Sequence, residues 1–170
     1  GMQFNAYARG LSYTSASVIS FLMGCLALKQ QGLNTPRGKT LFYLTMGIFY
    51  FMTGEILWTV YDLILHRDPF PSLADLFYTL AYPSFFLGLL NELRTNKINV
   101  KGVSKLFLYS LLLNSFLITC IIFYFYIYRT YDASNTFREN FYTVGYGVGD
   151  LILVVMNFFV FFLAWKEREE

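Results

Sequence analysis

The sequence predicts an all-α protein, a polytopic membrane helix bundle with five transmembrane helices, the third kinked at Pro83. Three observations lead to this fold class. Of 170 residues, 56% are hydrophobic and only 14% are charged, whereas an average soluble domain carries about 25% charged residues. Five mostly apolar segments of about 20 residues follow one another, which is the length that crosses a bilayer. Two cysteines and a net charge of +2 argue against a disulfide-stapled domain and a nucleic-acid partner.

The five segments form one integral membrane domain over residues 1–170, because no connection between them is long enough to fold alone. The first and fourth segments carry no charge, the second carries only Glu55 and Asp62, and the fifth carries only Asp150. The predicted spans are Leu11–Leu28, Thr40–Leu65, Leu73–Leu93, Leu106–Tyr128 and Phe141–Trp165.

A capping pattern predicts where the third span begins. Ser72 is a favourable N-cap residue, and Asp75 lies three residues later, at the N3 position of a capping box. The helix is therefore expected to begin at Leu73. Pro83, near the middle of the span, removes one backbone hydrogen bond and is expected to kink the helix.

Basic residues predict the orientation. Nine of the 13 Lys and Arg residues flank one side of the predicted bundle, and four flank the other. Because basic loops stay in the cytoplasm, we expect a multi-pass protein of the cell membrane with its N-terminus outside and its C-terminus in the cytoplasm. The nine predicted cytoplasmic residues are Lys29, Arg37, Lys39, Arg94, Lys97, Lys101, Lys105, Lys166 and Arg168.

Small residues predict where helices approach one another closely. A stripe with four-residue spacing runs along the first span, and Gly145 and Gly149 form a GxxxG pair on the fifth. We expect these residues to pack within one bundle or to form a homodimer contact. The stripe on the first span comprises Ser12, Ala16, Ser20 and Gly24.

Glu55 and Asp150 are the residues that point most directly to function. Each lies about 15 Å below the outer end of its span at 1.5 Å per residue, and an ionisable residue inside a span is a functional-site hypothesis by default. No Lys or Arg at this depth neutralises them, and Tyr82 beside Pro83 lies at the same level. The sequence predicts a shared polar site for a ligand, proton or cation. Two protonated acids hydrogen-bonded across helices are the alternative.

A second group lies nearer the outer surface. Trp58 and Asp62 share a helix face with Glu55 at spacings of three, four and seven, and Asp75 follows the connection to the third span. These residues either contribute to the site or form an interfacial belt and a helix cap. The candidate ligand- or proton-binding residues are Glu55, Trp58, Asp62, Asp75, Tyr82 and Asp150.

No motif points to catalysis or to a metal. The chain has one His, which excludes a two-His metal site, and it contains no GxSxG, HExxH, P-loop or CxxC motif. We therefore expect a protein that is not an enzyme, and assign no cofactor.

Several of these residues also belong to a longer pattern. This pattern resembles one found in membrane-embedded N-terminal input domains of microbial histidine kinases, diguanylate cyclases and phosphodiesterases. A second element there usually reads Tyr-Pro-Leu-Gly-Asp-Leu-Leu-Leu, and its Pro is Gly147 here. The resemblance implies that Glu55, Asp75 and Asp150 belong to a shared core, and that the C-terminal segment continues towards a cytoplasmic output module. It is carried by Gly54–Trp58, Tyr61–Asp62, Pro69–Tyr78, Ala81–Pro83 and Gly145–Leu153.

Three functions fit these observations. The leading expectation is a non-enzymatic membrane sensor or ligand-binding module whose cavity lies among the second, third and fifth spans, with motion at the Pro83 kink reaching the cytoplasmic ends. A small transporter or channel would also use acids near the midplane and a broken helix. A membrane scaffold or assembly subunit would rely on helix packing alone. The expected partners are the lipid bilayer, a small or lipophilic ligand, a proton or a cation, and a second copy of the chain.

Overall fold

The chain folds into helices joined by short connections. The computed structural model describes residues 2–95, 105–128 and 131–169, and no strand occurs in these ranges. Two helices, α2 and α4, continue into π-helical segments at Val60–Ile64 and Phe123–Tyr128. The five α-helices are α1 (Met2–Gln31), α2 (Pro36–Thr59), α3 (Leu73–Thr95), α4 (Lys105–Ile122) and α5 (Phe137–Glu169).

Within the described ranges, four helical stretches are long and apolar enough to cross a membrane: Gly10–Gln31, Pro36–Ile64, Leu73–Thr95 and Phe137–Phe161. This confirms a helical bundle with the apolar character of a membrane protein. The predicted fourth span is helical from Lys105 to Tyr128, but its described apolar stretch, Phe116–Phe125, is shorter than a span. That this fourth segment also crosses the membrane, which would give five crossings in all, therefore stays a prediction. Lys97, Lys101 and Arg129, used to predict orientation, lie outside the described residues.

The chain divides into two compact units, Gly1–Gly88 and Leu89–Glu170. The first contains α1, α2 with its π-helical segment, and most of α3. In this unit α2 contacts α1 along one of its faces and α3 along another.

The contact between α1 and α2 follows a heptad pattern. Thr14 and Thr59 are hydrogen-bonded through their hydroxyls at 2.8 Å, and the rings of Phe21 and Phe49 lie 5.5 Å apart. A Cβ placed on Gly24 would lie 2.8 Å from Oγ1 of Thr45, so the two backbones approach closely there. The α1 residues on this face are Gly10, Thr14, Ser17, Phe21 and Gly24.

The predicted small-residue stripe on α1 is not the face that packs against α2. Ser12, Ala16 and Ser20 are exposed, and of the four stripe residues Gly24 makes the contact with α2. The reason is geometric. A step of four residues overshoots one helical turn by about 40°, so the direction changes by about 120° between Ser12 and Gly24. Residues spaced alternately three and four positions apart stay on one side of the helix.

The contact between α2 and α3 is made at glycines on both helices. A Cβ on Gly54 would lie 2.7 Å from Cε1 of Tyr78, and one on Gly47 would lie 2.6 Å from the Phe85 ring. From the other side, a Cβ on Gly88 would lie 2.7 Å from Cδ2 of Leu44. Glycine thus lets large side chains lie directly against a helix backbone, which is how helices gain packing energy in lipid.

Hydrogen bonds at the helix starts agree with the sequence. The backbone N–H of Ser72 donates to Oδ2 of Asp75 at 2.6 Å, and the N–H of Ala74 donates to Oγ of Ser72 at 3.1 Å. The predicted cap and the predicted start of α3 at Leu73 are therefore confirmed. The α2 start is capped by Thr35, whose Oγ1 accepts from the N–H of Gly38 at 2.9 Å.

The second unit contains a comparable cap at the start of α5. The backbone N–H and the hydroxyl of Thr136 both donate to Oε2 of Glu139 at 2.7 Å. Nearby, the backbone N–H of Ser134 holds the pKa of the exposed Asp132 carboxyl below its ordinary value by hydrogen bonding to the charged form. The polar groups of the connection before α5 thus hydrogen-bond to one another.

Gly145 has no close packing partner among the described residues. A Cβ placed on it would meet no described atom within 4 Å, and the residue is exposed. Its role in a contact between two copies of the chain stays a prediction.

Candidate functional site

A partly open cleft of about 480 Å³ lies in the first unit, where α1, α2 and α3 come together. Among the residues whose side chains the structure describes, its walls carry two carboxyl groups, three aromatic rings and no basic group. The lining residues are Gly10, Tyr13, Glu55, Trp58, Thr59, Asp62 and Tyr78.

Glu55 is anchored across two helices. It is half-buried on α2, and Tyr78 of α3 donates its hydroxyl hydrogen to Oε1 of Glu55 at 3.0 Å. A carboxyl group accepts through two oxygens, so this bond fixes the position of the side chain and uses part of its acceptor capacity. Glu55 can therefore accept a further hydrogen bond from a group that enters the cleft.

The Tyr78 ring is held in place by packing. It lies against the backbone at Gly54, where any larger residue would displace it. The rings of Phe51 and Trp58 flank it, with centroids 5.3 Å and 6.3 Å away, within the range in which aromatic pairs interact favourably. Because the hydroxyl is carried on a ring fixed on three sides, the donor to Glu55 is pre-positioned.

The α1 wall depends on small and polar residues. A Cβ on Gly10 would lie 3.2 Å from Cδ1 of Leu63, so α1 runs close to the end of α2 at this point. The Thr14–Thr59 hydrogen bond ties the two helices together one turn further along. Tyr13 lies at the mouth of the cleft with 65% of its surface exposed, which leaves room for its ring to cover a bound group.

Asp62 lies in the π-helical segment that continues α2. The segment closes with a hydrogen bond from the N–H of Leu65 to the carbonyl of Val60 at 2.9 Å, and His66 follows with φ of +49°. A π-helical turn accommodates an extra residue and redirects the side chains beyond it, and such turns often occur at functional sites. Here Asp62 is exposed and still faces the same cleft as Glu55 and Trp58.

The cleft lies towards one end of the apolar stretches of α2 and α3: Asp62 is close to the end of the second stretch, and Tyr78 is close to the start of the third.

Three other predicted site residues lie elsewhere. Asp75 is fully buried and accepts the hydrogen bond that caps α3, so its described role is structural. Tyr82 is half-buried on α3, one turn beyond Tyr78, and is not among the residues that line the cleft. Asp150 is exposed on α5 in the second unit. The predicted joint site of Glu55 and Asp150 stays a prediction.

The chain matches no protein-family model, no curated protein and no solved structure. The resemblance to input domains of signalling proteins therefore stays a hypothesis that rests on its motif residues. The geometry of the cleft is therefore the basis for a functional proposal.

The sequence missed four lining residues: Gly10, Tyr13, Thr59 and Tyr78. The contribution of α1 was missed because the four-residue stripe directed attention to the wrong face. The heptad spacing of Gly10, Thr14, Ser17, Phe21 and Gly24 is the signal that finds it. Tyr78 was missed because counting residues along the span placed Tyr82, one turn further along α3, at the level of Glu55.

The arrangement of side chains in the cleft suits the binding of a small molecule. In the described residues, no group of three or more His, Cys, Asp or Glu side chains could hold a metal ion. The cleft is lined by carboxyl and hydroxyl groups and by aromatic rings. It can hold a small molecule that has a polar end and an apolar body.

Proposed function

We propose that the protein is a non-enzymatic membrane sensor or ligand-binding module whose ligand occupies the cleft between α1, α2 and α3. One observation carries the proposal: Glu55 and Asp62 line a cleft of about 480 Å³ together with Tyr13, Trp58 and Tyr78. This volume is within the usual range of small-molecule pockets, about 300–1,000 Å³.

The wider proposal concerns topology and coupling. The chain crosses the cell membrane five times with the N-terminus outside, so the cleft opens on the outer side. Ligand in the cleft contacts both α2 and α3. A kink of α3 at Pro83 then transmits a change in their packing to the cytoplasmic ends, towards an output module of the kind that the resemblance implies.

Thermal unfolding of the protein in lipid nanodiscs tests ligand binding. Three probes of similar size differ in charge: phenethylammonium, phenethyl alcohol and hydrocinnamate. We expect at least one to stabilise the protein saturably, by about 2.7 kcal/mol at a concentration 100 times its Kd. The stabilisation should fall in Gly54→Leu, which fills the space that the Tyr78 ring occupies. If none of the three raises the unfolding midpoint, the cleft is not a ligand site.

Sensing also requires a response at the far end of the helices. A fluorophore on Asn34→Cys lies in the α1–α2 turn, at the opposite end of these helices from the cleft. We expect its emission to change as the stabilising probe saturates. Flux of that probe into proteoliposomes would instead identify a transporter, and binding without a change in emission would reduce the function to binding alone.

A further inference from the structure

We infer that the ligand of the cleft is an organic ammonium compound: a protonated amine carried on an aromatic or short alkyl body. This inference rests on the proposed function and specifies the chemical class of the ligand. It follows from charge, from the shape of the binding surface and from the position of the cleft.

Charge selects a cation. Of the described residues that line the cleft, Glu55 and Asp62 are acidic and none is basic. An anionic ligand would place like charges together in a site of reduced dielectric constant, which is strongly unfavourable. A protonated amine reverses the sign of this interaction for both carboxylates and donates a charge-assisted hydrogen bond to the one that it reaches.

The lining excludes a bare metal ion. Calcium binds six to eight oxygen ligands and magnesium demands a near-ideal octahedron, whereas the cleft offers two carboxylates spread along a wall shared with three aromatic rings. Its volume also far exceeds what one ion needs. An organic cation fills such a space because its apolar body contacts the rings while its charged end reaches the acids.

The aromatic residues add a specific contribution. Trp58, Tyr78 and Tyr13 come from three different helices and surround the same space. An ammonium group close to the face of such a ring gains a cation–π attraction, which is strongest for Trp. Tyr78 is already fixed by Gly54 and by its bond to Glu55, so part of the binding surface is organised before the ligand arrives.

The membrane boundary favours amphipathic amines. Because the cleft lies towards the ends of the apolar stretches of α2 and α3, a ligand can keep its ammonium group at the water side and its apolar body towards the lipid. A fully hydrophilic cation has no apolar body to place against the rings. A neutral lipophilic molecule has no charge to offset that of the carboxylates.

Tryptophan fluorescence provides the test, because the chain has only two tryptophans. In a Trp165→Phe background, Trp58 in the cleft is the remaining reporter. Phenethylammonium is titrated against the full-length protein in nanodiscs, with phenethyl alcohol and hydrocinnamate as matched neutral and anionic probes. We expect phenethylammonium to bind about 10- to 100-fold more tightly than either, the range expected for hydrogen bonds to charged groups.

Variants assign the preference to the two acids. Glu55→Gln retains an acceptor for Tyr78, and Asp62→Asn changes an exposed side chain, so both should fold. Each is expected to weaken phenethylammonium binding about tenfold while leaving phenethyl alcohol binding unchanged. Asp68→Asn is the control, since Asp68 is exposed outside the cleft and its contact with the N–H of Phe70 can be kept by an amide oxygen. It should bind as the parent protein does.

Each outcome decides between the two proposals. Equal affinity for phenethyl alcohol or hydrocinnamate overturns the ammonium inference but keeps the cleft as a ligand site. Loss of affinity in Asp68→Asn equal to that in Asp62→Asn also overturns it, because general surface charge would then be responsible. The absence of a saturable Trp58 response to all three probes overturns both proposals.

Discussion

At the scale of single residues, the cleft depends on the pair formed by Glu55 and Tyr78. A carboxyl group inside an apolar layer is costly unless a donor satisfies it. Tyr78 supplies that donor from a neighbouring helix, and Gly54 supplies the space in which its ring lies. Three residue types, each with a separate physical role, therefore produce one polar contact.

Removing the Tyr78 hydroxyl is expected to destabilise the protein. Tyr78→Phe keeps the ring but leaves the half-buried Glu55 without this donor, which costs about 1–3 kcal/mol. Tyr131→Phe is a matched control because 59% of Tyr131 is exposed, and it should change the free energy of unfolding by less than about 0.5 kcal/mol. Unfolding by SDS in mixed micelles measures both values. Equal values would show that the Glu55 contact does not stabilise the fold.

The glycine positions differ in whether they have room for a larger side chain. Gly54→Ala would push the Tyr78 ring away from α2 and should cost about 1–3 kcal/mol by overpacking. Gly145→Ala places its methyl group in open space within the described structure and should cost nothing. Comparing unfolding of the two variants checks this. A comparable loss in Gly145→Ala would instead indicate that Gly145 contacts a second copy of the chain, as its GxxxG spacing allows.

At the scale of elements, local hydrogen-bonding patterns were easier to predict than helix faces. Ser72 and Asp75 identified the start of α3 because a capping box is satisfied within four residues. The face of α1 could not be found from small residues alone, since both the four-residue and the heptad spacing end at Gly24. What separates them is the partner helix: Thr45 and Thr59 lie opposite the heptad face, and that pairing is not a local property of either sequence.

The two capping boxes allow a direct comparison of buried and exposed caps. Asp75→Ala leaves the N–H of the buried Ser72 without this acceptor and should cost about 1–3 kcal/mol. Glu139→Ala removes the equivalent acceptor from Thr136, which is exposed. Because water can replace it there, about 0.5–1 kcal/mol is expected. The same SDS unfolding measurement compares them, and a larger loss in Glu139→Ala would contradict the argument from burial.

At the scale of the whole molecule, composition settled the class of fold and left the count of crossings undecided. Low charge and long apolar segments predicted a helical membrane protein, and four long apolar stretches occur in the described residues. For the candidate site, Glu55, Trp58 and Asp62, which the sequence places on one helix face, line one cleft. The contribution of α1 required tertiary contacts, which periodicity within a single helix does not contain.

Cysteine accessibility tests the predicted orientation. Cys25 and Cys120 are free and are first replaced by Ala. Asn34→Cys and Asn135→Cys then place single thiols in the α1–α2 turn and in the connection before α5. With five crossings, an impermeant maleimide applied to intact cells should label position 135 and leave position 34 unlabelled until the cells are opened. Labelling of both positions from one side would contradict both the five-span count and the orientation.

The 23-residue separation between Glu55 and Tyr78 has a consequence for biosynthesis. At about 5–20 residues per second, a ribosome makes the acid about one to five seconds before it makes its hydrogen-bond donor. During that interval α1 and α2 are already joined by their short turn, and the Thr14–Thr59 pair can form, but Glu55 enters the translocon without Tyr78. The insertion machinery, rather than the finished fold, must therefore first accommodate this carboxyl group.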